Sequence, residues 1–240
     1  MCEILDLLQQ APRGAALLDV AKATRLPKSS AFRYLATLER RRYVERDPVT
    51  GSYRAGSAFL PLRAHEPELL ARRARPHMER IRDQLEETIN LGMLEGNRIS
   101  YLEIVESPRS MRLAARRGDR DPLHATALGK AIAAHLPERR VRAILEAEGM
   151  ARLTPHTLTT LDAYQAELAA TRERGYALDD GEHEIDGRSV AVPVPGANLP
   201  AAISYSAPAT RFPLERAEPV AAMLREIAAE VAGELRAPAP

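Results

Sequence analysis

The stretch LDVAKATRLPKSSAFRYLATLERRRYVERDPVTGSY, residues 18–53, contains two short helical periods separated by a tight break. A first helix over about 17–24 has Leu18 and Ala21 on its inner side, and Pro27 interrupts the pattern soon after. A second helix begins near Lys28 and repeats apolar residues every three or four positions. Two helices joined by so tight a turn predict a helix-turn-helix, whose second helix enters the major groove of DNA.

The flanks of this stretch extend the prediction. Upstream, Ile4, Leu7, Leu8 and Ala11 follow the spacing of an amphipathic helix. Downstream, short β-type runs at 43–46 and 52–54 enclose a turn at 47–51, in which proline fixes φ and glycine supplies freedom. This hairpin would be the wing of a winged helix-turn-helix domain over residues 1–58.

The exposed stripe of the second helix carries the candidate DNA-binding residues. Hydroxyls and a lysine at its start suit phosphates or base edges, and Arg33 presents a fork that guanine O6 and N7 accept. The alternative is a three-helix interaction module whose arginines are merely solvated. The candidates are Lys28, Ser29, Ser30, Arg33, Thr37 and Arg40.

Charge is distributed unevenly along the chain. The 240 residues carry a formal net charge of +1, but residues 1–60 hold 10 bases against 6 acids, a net +4. The remaining 24 bases and 27 acids give residues 61–240 a net −3. A basic N-terminal region followed by a mildly acidic remainder is typical of a protein that binds a polyanion through one end of its chain.

Composition restricts the class of protein. A chain of 240 residues predicts two domains. Cys2 is the only cysteine, which excludes an intramolecular disulfide and a thiolate metal cluster. No apolar run approaches the ~20 residues that span a bilayer, and the acidic N-terminus does not match a signal peptide. We therefore expect a soluble cytoplasmic protein with no membrane partner, no cofactor and no bound metal.

The rest of the chain alternates between helical and β patterns. Charged residues dominate 59–75, which are predicted to form a linker helix. Pro67 and Pro76 divide this region into separate helical pieces. The next domain, 76–240, is therefore predicted to begin with its own helix at Pro76. Hairpins without a regular βαβ repeat predict an α+β domain with a mainly antiparallel sheet. The predicted strands are 89–93, 99–101, 111–115, 176–178, 190–194 and 201–205, and the helices are 126–135, 138–148, 161–174 and 214–235.

Two features of this second domain suggest a binding site. In HATALGK, residues 124–130, small side chains at a helix start leave free N–H groups accessible to a carboxylate, and Gly129 allows close approach. The alternative is an ordinary N-cap at Thr126 that packs against the sheet. Ser204 and Ser206 project from one strand face, where they line a pocket or face solvent.

Four motifs together resemble the IclR family of bacterial transcriptional regulators. They are LPKSSAFRYLATLERRRYVERDPVTGSYRAG at 26–56, PLHATALGKAIAAHLP at 122–137, RERGYALDDGEHEIDGRSVAVPV at 172–194 and AAISYSAP at 201–208. The resemblance covers nearly the whole chain. It implies an N-terminal winged helix-turn-helix that binds a double-stranded DNA operator, a linker helix and a GAF-like effector-binding domain.

The resemblance also implies which residues hold the effector, a small organic acid. Its carboxylate would lie against the amides of the helix start, with polar contacts from later strands, and Met111, Leu113 and Leu123 are candidate apolar walls. Relatives commonly have cysteine at the position of Ser189, and glycine at that of Arg25, where a non-glycine residue at positive φ costs ~1 kcal/mol. The effector-binding candidates are Ala127, Leu128, Asp179, Ser189, Ser204 and Ser206.

Oligomerisation and catalysis complete the predictions. A single recognition helix reads few base pairs, so we expect a homodimer or homotetramer. Histidines and acids such as His124, His183 and Glu182 could suggest a metal or acid-base site, but their spacing matches no catalytic signature, and no enzymatic activity is predicted. The alternatives without DNA binding are a protein-interaction module and a small-molecule enzyme built on the C-terminal domain.

Overall fold

The computed structural model describes residues 2–11, 14–47, 50–56 and 66–236. By their contacts these residues form two compact units, divided between Glu66 and Pro67. Residues 59–65 of the predicted linker lie outside the described residues. Within the described part of the chain, no helix is both long and apolar enough to cross a membrane.

The first unit has the predicted winged helix-turn-helix. Its elements are α1 Cys2–Gln10, α2 Leu17–Ala23, α3 Lys28–Arg40, β1 Val44–Arg46 and β2 Tyr53–Ala55. The two strands pair antiparallel, with Val44 opposite Ala55. Apolar residues from all three helices and both strands form one core: Ile4, Leu8, Val20, Leu35, Leu38, Val44 and Tyr53.

The turn between α2 and α3 explains why glycine suits the position of Arg25. The N–H of Leu26 donates to the Ala21 carbonyl at 3.0 Å, and that of Arg25 donates to Lys22 at 3.2 Å. This pair of bonds is a Schellman motif, whose residue after the cap adopts left-handed geometry. Arg25 has φ of 52°, at a cost of ~1 kcal/mol relative to glycine.

The second unit is the predicted α+β domain. Its helices are α4 Glu66–Leu85, α5 Ala127–Ala133, α6 Glu138–Glu148, α7 Leu161–Arg174 and α8 Ala217–Arg236, the last preceded by a 3₁₀ turn at Leu214–Arg216. Its strands are β3 Thr88–Glu95, β4 Arg98–Val105, β5 Arg120–Pro122, β6 Ala177–Asp180, β7 Gly187–Pro193 and β8 Ala201–Pro208. They form one antiparallel sheet in the order β5-β4-β3-β8-β7-β6.

Helix α4 differs from the prediction of separate linker and domain helices, because it continues through Pro76. A proline inside a helix leaves the carbonyl four residues earlier without its usual donor. That carbonyl belongs to Arg72, and both residues are exposed, so water is available to it. Apolar packing continues on both sides of Pro76 and holds the helix together. The packed residues are Leu70, Ala71, Ala74, Met78 and Ile81.

The two faces of the sheet carry different layers. Helices α4 and α8 pack on one face in an apolar core that includes Leu91, Ile203 and Tyr205. Helices α5, α6 and α7 cover part of the other face through a second apolar cluster. The uncovered part of this second face is where the cavity described below lies.

The predicted strand at 111–115 is wrong. The structure has irregular backbone there, and the short strand β5 occurs instead at Arg120–Pro122. The Leu113 carbonyl accepts a hydrogen bond from Thr88 Oγ1 at 3.1 Å, so a side chain takes the place of a strand neighbour. Met111, part of the apolar alternation that suggested a strand, is exposed.

Candidate functional site

Helix α3 presents the predicted DNA-binding residues on its outer side. Ala31, Leu35 and Leu38 are buried on the inner side and fix how the helix is turned. Thr37 Oγ1 donates to the Arg33 carbonyl at 2.8 Å, so its proton is used within the helix. Four of the six candidates are exposed, Lys28, Ser29, Arg33 and Arg40, and two are half-buried, Ser30 and Thr37. Their contact with DNA stays a prediction.

The cations of α3 are available to a polyanion. Among the described residues, Lys28, Arg33 and Arg40 have no ion-pair partner. Sequence reasoning overlooked Phe32, which is 49% exposed beside Arg33. The sequence feature that could have identified Phe32 is an aromatic residue outside the apolar stripe of the helix. Such a ring can contact a thymine methyl group.

The second unit contains a cavity of about 550 Å³ over the partly uncovered face of the sheet. Six residues predicted to bind an effector all line it, although they come from α5, β6, β7 and β8. They are Ala127, Leu128, Asp179, Ser189, Ser204 and Ser206. Their common position is observed, whereas their binding role stays a prediction.

The strand register brings the polar floor of the cavity together. Ser204 pairs with Asn90 on one neighbouring strand, and Ser206 pairs with Ser189 on the other. Asn90 Nδ2 donates to Ser204 Oγ at 3.3 Å and to Ser206 Oγ at 3.2 Å. Ser189 Oγ donates to Ser206 Oγ at 2.9 Å. Asn90 was not predicted, because a lone asparagine in a strand pattern carries no sequence signal.

The start of α5 forms another wall. Thr126 is its N-cap and accepts a hydrogen bond from the Gly129 N–H at 3.0 Å. A Cβ at Gly129 would lie 2.1 Å from the Leu123 carbonyl oxygen, which explains the glycine. Both interpretations of HATALGK therefore describe part of the geometry. Thr126 caps the helix, and Ala127 and Leu128 line the cavity. The N–H groups of this first turn have no acceptor within the helix.

Across the cavity, a carboxylate, a histidine and a tyrosine meet. His183 Nε2 lies 3.5 Å from Asp121 Oδ1, and Tyr101 OH donates to Asp121 Oδ2 at 2.8 Å. Burial opposes ionisation of Asp121, but the hydrogen bonds with His183 and Tyr101 and the positive charge nearby together outweigh it and lower the pKa of Asp121. The hydrogen bond with Asp121 raises the pKa of His183. The sequence analysis did not count His183 among the site residues, whereas it lines the cavity.

A buried ion pair lies behind the cavity. Lys130 is fully buried, and its Nζ lies 2.5 Å from Glu182 Oε1 and 3.7 Å from Glu167 Oε1. Burial raises the pKa of Glu182 to about 6, although Lys130 opposes that shift. The Glu182 N–H donates to Asp179 Oδ1 at 2.8 Å, which connects the pair to a cavity residue.

The other candidates from the sequence divide between cavity and core. His124 is buried, its Nε2 lies 3.0 Å from the Ala151 carbonyl, and burial lowers its pKa. Of the candidate apolar walls, Leu113 lines the cavity, Leu123 packs in the core beneath α5, and Met111 is exposed.

A winged helix-turn-helix with a cationic recognition helix, followed by an α+β unit with a cavity, defines a DNA-binding transcriptional regulator. Comparison with known families identifies which kind. Residues 2–48 match the IclR helix-turn-helix domain, and residues 65–232 match the bacterial transcriptional regulator IclR C-terminal domain. The chain belongs to the IclR family of transcriptional regulators.

Individual relatives agree with this assignment. The HTH-type transcriptional regulator XynR of Escherichia coli K12 is 35% identical over 195 residues, 80% of this chain and 77% of XynR. The crystal structure of Thermotoga maritima IclR matches with a TM-score of 0.66 at 29% identity, covering 97% of this chain and 96% of that one. An IclR homolog from Microbacterium hydrocarbonoxydans, crystallised with 4-hydroxybenzoate, matches with a TM-score of 0.64 at 28% identity and covers 99% of both chains.

Proposed function

We propose that this regulator contacts its operator through the outer side of α3, and that a small organic acid bound in the cavity of the second unit alters operator binding. The observation that carries the acid-binding half is the convergence of six predicted residues, from four separate elements, on one cavity of about 550 Å³. A volume of that size lies within the ~300–1,000 Å³ of small-molecule sites.

The DNA-binding half is supported by the exposed cations of α3. Arg33 is exposed in the middle of the helix, where a fork of N–H donors can reach guanine O6 and N7 in the major groove. Lys28 and Arg40 lie at the two ends of α3 and suit phosphates, which position the helix without reading sequence.

A gel-shift titration with a selected operator and with random DNA tests this half. Arg33→Ala should weaken operator binding ~10-fold or more while changing random-DNA affinity much less, since a bidentate base contact is worth ~1–3 kcal/mol. Equal losses on both DNAs would make Arg33 a phosphate contact. Wild-type affinity should also fall steeply as salt rises. An absence of DNA affinity at low salt would refute the proposal.

The acid-binding half is supported by hydrogen-bond donors along one side of the cavity. The first-turn N–H groups of Ala127 and Leu128 and the hydroxyls of Ser204 and Ser206 are groups that a carboxylate accepts from. The homolog from Microbacterium hydrocarbonoxydans was crystallised with 4-hydroxybenzoate, a small organic acid.

A thermal-shift screen tests whether acids bind. A ligand that binds only the folded chain raises its melting temperature, so glyoxylate, pyruvate, aromatic acids and sugar acids form a suitable panel. Acids that raise it should also change operator affinity in the gel-shift experiment. If the bound acid left operator affinity unchanged, the cavity would bind a ligand without regulating DNA binding.

The regulatory step requires that the acid prefer one of two arrangements of the protein. A ligand shifts an equilibrium only by its difference in affinity between the two states, and the coupling acts equally in both directions. We propose that these arrangements are a homodimer or homotetramer with two spacings of its DNA-binding domains. Light scattering with and without operator DNA measures the oligomeric state, and a monomer on DNA would refute this step.

A further inference from the structure

The serine hydroxyls on the floor of the cavity can donate hydrogen bonds to a ligand. Ser204 Oγ and Ser206 Oγ each accept a hydrogen bond from Asn90 Nδ2, and Ser206 Oγ accepts another from Ser189 Oγ. A serine hydroxyl has one proton and two lone pairs, so oxygens that already accept keep their own protons to donate. Two such donors at alternate positions of one strand suit the two oxygens of a carboxylate.

The opposite part of the cavity is arranged to accept hydrogen bonds. Asp121 is held as a carboxylate by His183 at 3.5 Å and by Tyr101 OH at 2.8 Å. Asp179 also lines the cavity, but it lies beside Ser189 in the pairing of β6 with β7, and burial raises its pKa. The ionised Asp121 carboxylate has about four acceptor sites and no proton, so the sites that His183 and Tyr101 leave open need donors from elsewhere.

Hydrocarbon would find few partners in this cavity. Of the residues that line it in the described chain, Leu113 and Leu128 are the only ones with aliphatic side chains larger than alanine. An acid with a plain hydrocarbon chain would remove water from the Asp121 carboxylate without replacing its hydrogen bonds. Each buried group left unpaired in this way weakens binding roughly 10-fold to 100-fold.

We infer that the ligand of this cavity is a polyhydroxylated carboxylic acid. Its carboxylate lies on the serine hydroxyls of the sheet, and its own hydroxyl groups donate to Asp121 opposite. This inference rests on the proposed function, and it narrows the ligand from organic acids in general to one chemical class.

Isothermal titration calorimetry on the full chain tests the class directly. The probes are D-gluconate, D-galactonate and D-xylonate, compared with hexanoate and pentanoate of matched chain length and with 4-hydroxybenzoate. At least one polyhydroxylated acid should bind ~30-fold or more tightly than its unsubstituted counterpart, because a site built around ligand hydroxyls rejects analogues that lack them.

Variants of Asp121 locate the preference within the cavity. Asp121→Ala removes the acceptor and should reduce the ratio of the two affinities ~10-fold, by weakening the polyhydroxylated acid and leaving hexanoate unchanged or tighter. Asp121→Asn keeps an acceptor oxygen and should retain most of the ratio. Asp162→Ala, an exposed acid in the first turn of α7, is the matched control and should not change it.

The outcomes separate the inference from the proposed function. If an unsubstituted or aromatic acid binds as tightly as every polyhydroxylated one, the inferred class is overturned and the acid-sensing cavity stands. If no probe of any class binds or raises the melting temperature, both the inferred class and the acid-binding half of the proposed function are overturned. A preference that Asp121→Ala leaves intact would also overturn the inference, since the hydroxyl groups would then be recognised elsewhere.

Discussion

The two faces of the C-terminal sheet come from the same strands and have opposite properties. Along β8, Ile203 and Tyr205 point to the face that α4 and α8 cover, and both are buried in an apolar core. The residues between and after them, Ser204 and Ser206, point to the other face and line the cavity. One strand therefore supplies stability on one side and hydrogen-bonding groups on the other.

The contrast shows what makes room for a cavity in a packed domain. Large apolar side chains on the first face bury area, at ~25 cal/mol per Å², and leave no space between sheet and helices. On the second face the serines are small, and Gly92 has no side chain: a Cβ there would lie 2.9 Å from Leu128 Cδ1. Helix α5 can thus approach one end of this face while the other end stays open.

Replacing a large residue on the packed face should have the greatest effect. Ile203→Ala is expected to lower the free energy of unfolding by ~4 kcal/mol, since it removes a fully buried side chain and leaves a space that neighbours fill only in part. Urea denaturation followed by circular dichroism measures the loss. Ser204→Ala, one position along, is the matched comparison. A similar loss in both variants would mean that the two faces do not differ as described.

Breaking the ion pair behind the cavity should cause the second-largest loss of stability, and this loss should depend on pH. Lys130→Met leaves Glu182 without its cation and is expected to cost ~3 kcal/mol at pH 8. The pKa of Glu182 is already raised by burial to about 6, and without Lys130 it rises further. The folded variant then holds a proton that the unfolded chain releases, so its stability falls as pH increases, and the loss should be smaller at pH 5.

Denaturation of wild type and Lys130→Met at both pH values measures this dependence. Arg142→Met removes an exposed partner of Glu138 at 3.5 Å and should change stability by less than ~0.5 kcal/mol at either pH. A loss from Lys130→Met that does not depend on pH would indicate that Glu182 stays ionised.

The smallest change in stability should follow from the cavity serines. Ser204→Ala combined with Ser206→Ala takes both acceptors from Asn90 Nδ2 and is expected to cost ~1 kcal/mol. The same double variant should nevertheless blunt the response of operator binding to the acid, while affinity without the acid stays unchanged. Gel shifts with and without the acid measure this, with Ser110→Ala in an exposed loop as control. An unchanged response would remove these serines from the binding site.

Much of the fold could be predicted because its signals are local. Helices α6 and α7 were predicted over the same residues that the structure shows; apolar spacing marks α6, and Gly175, in left-handed geometry, ends α7. The wing and the pairing of β7 with β8 follow from turn residues between β-type runs. Pro76 misled the prediction, because packing on both sides of it outweighs the hydrogen bond that proline removes.

The cavity could be predicted only in part, because its walls come from distant strands. Ser204 and Ser206 were recognisable from their alternation and from the family resemblance. Asp121 and His183 are 62 positions apart in the chain and meet only because the segment after β6 reaches β5. Asn90 joins the serines through the pairing of β3 with β8, more than 100 residues away. No local pattern encodes such contacts.

The sheet ends on both sides in very short strands. β5 has three residues, including Pro122, and β6 has four, including Asp180. An outermost strand can recruit a strand from another molecule, but a proline lacks the N–H for that pairing and charged side chains resist being covered. The sheet should therefore resist edge-to-edge pairing with the sheet of another molecule, even at the high concentrations used for crystallisation or calorimetry.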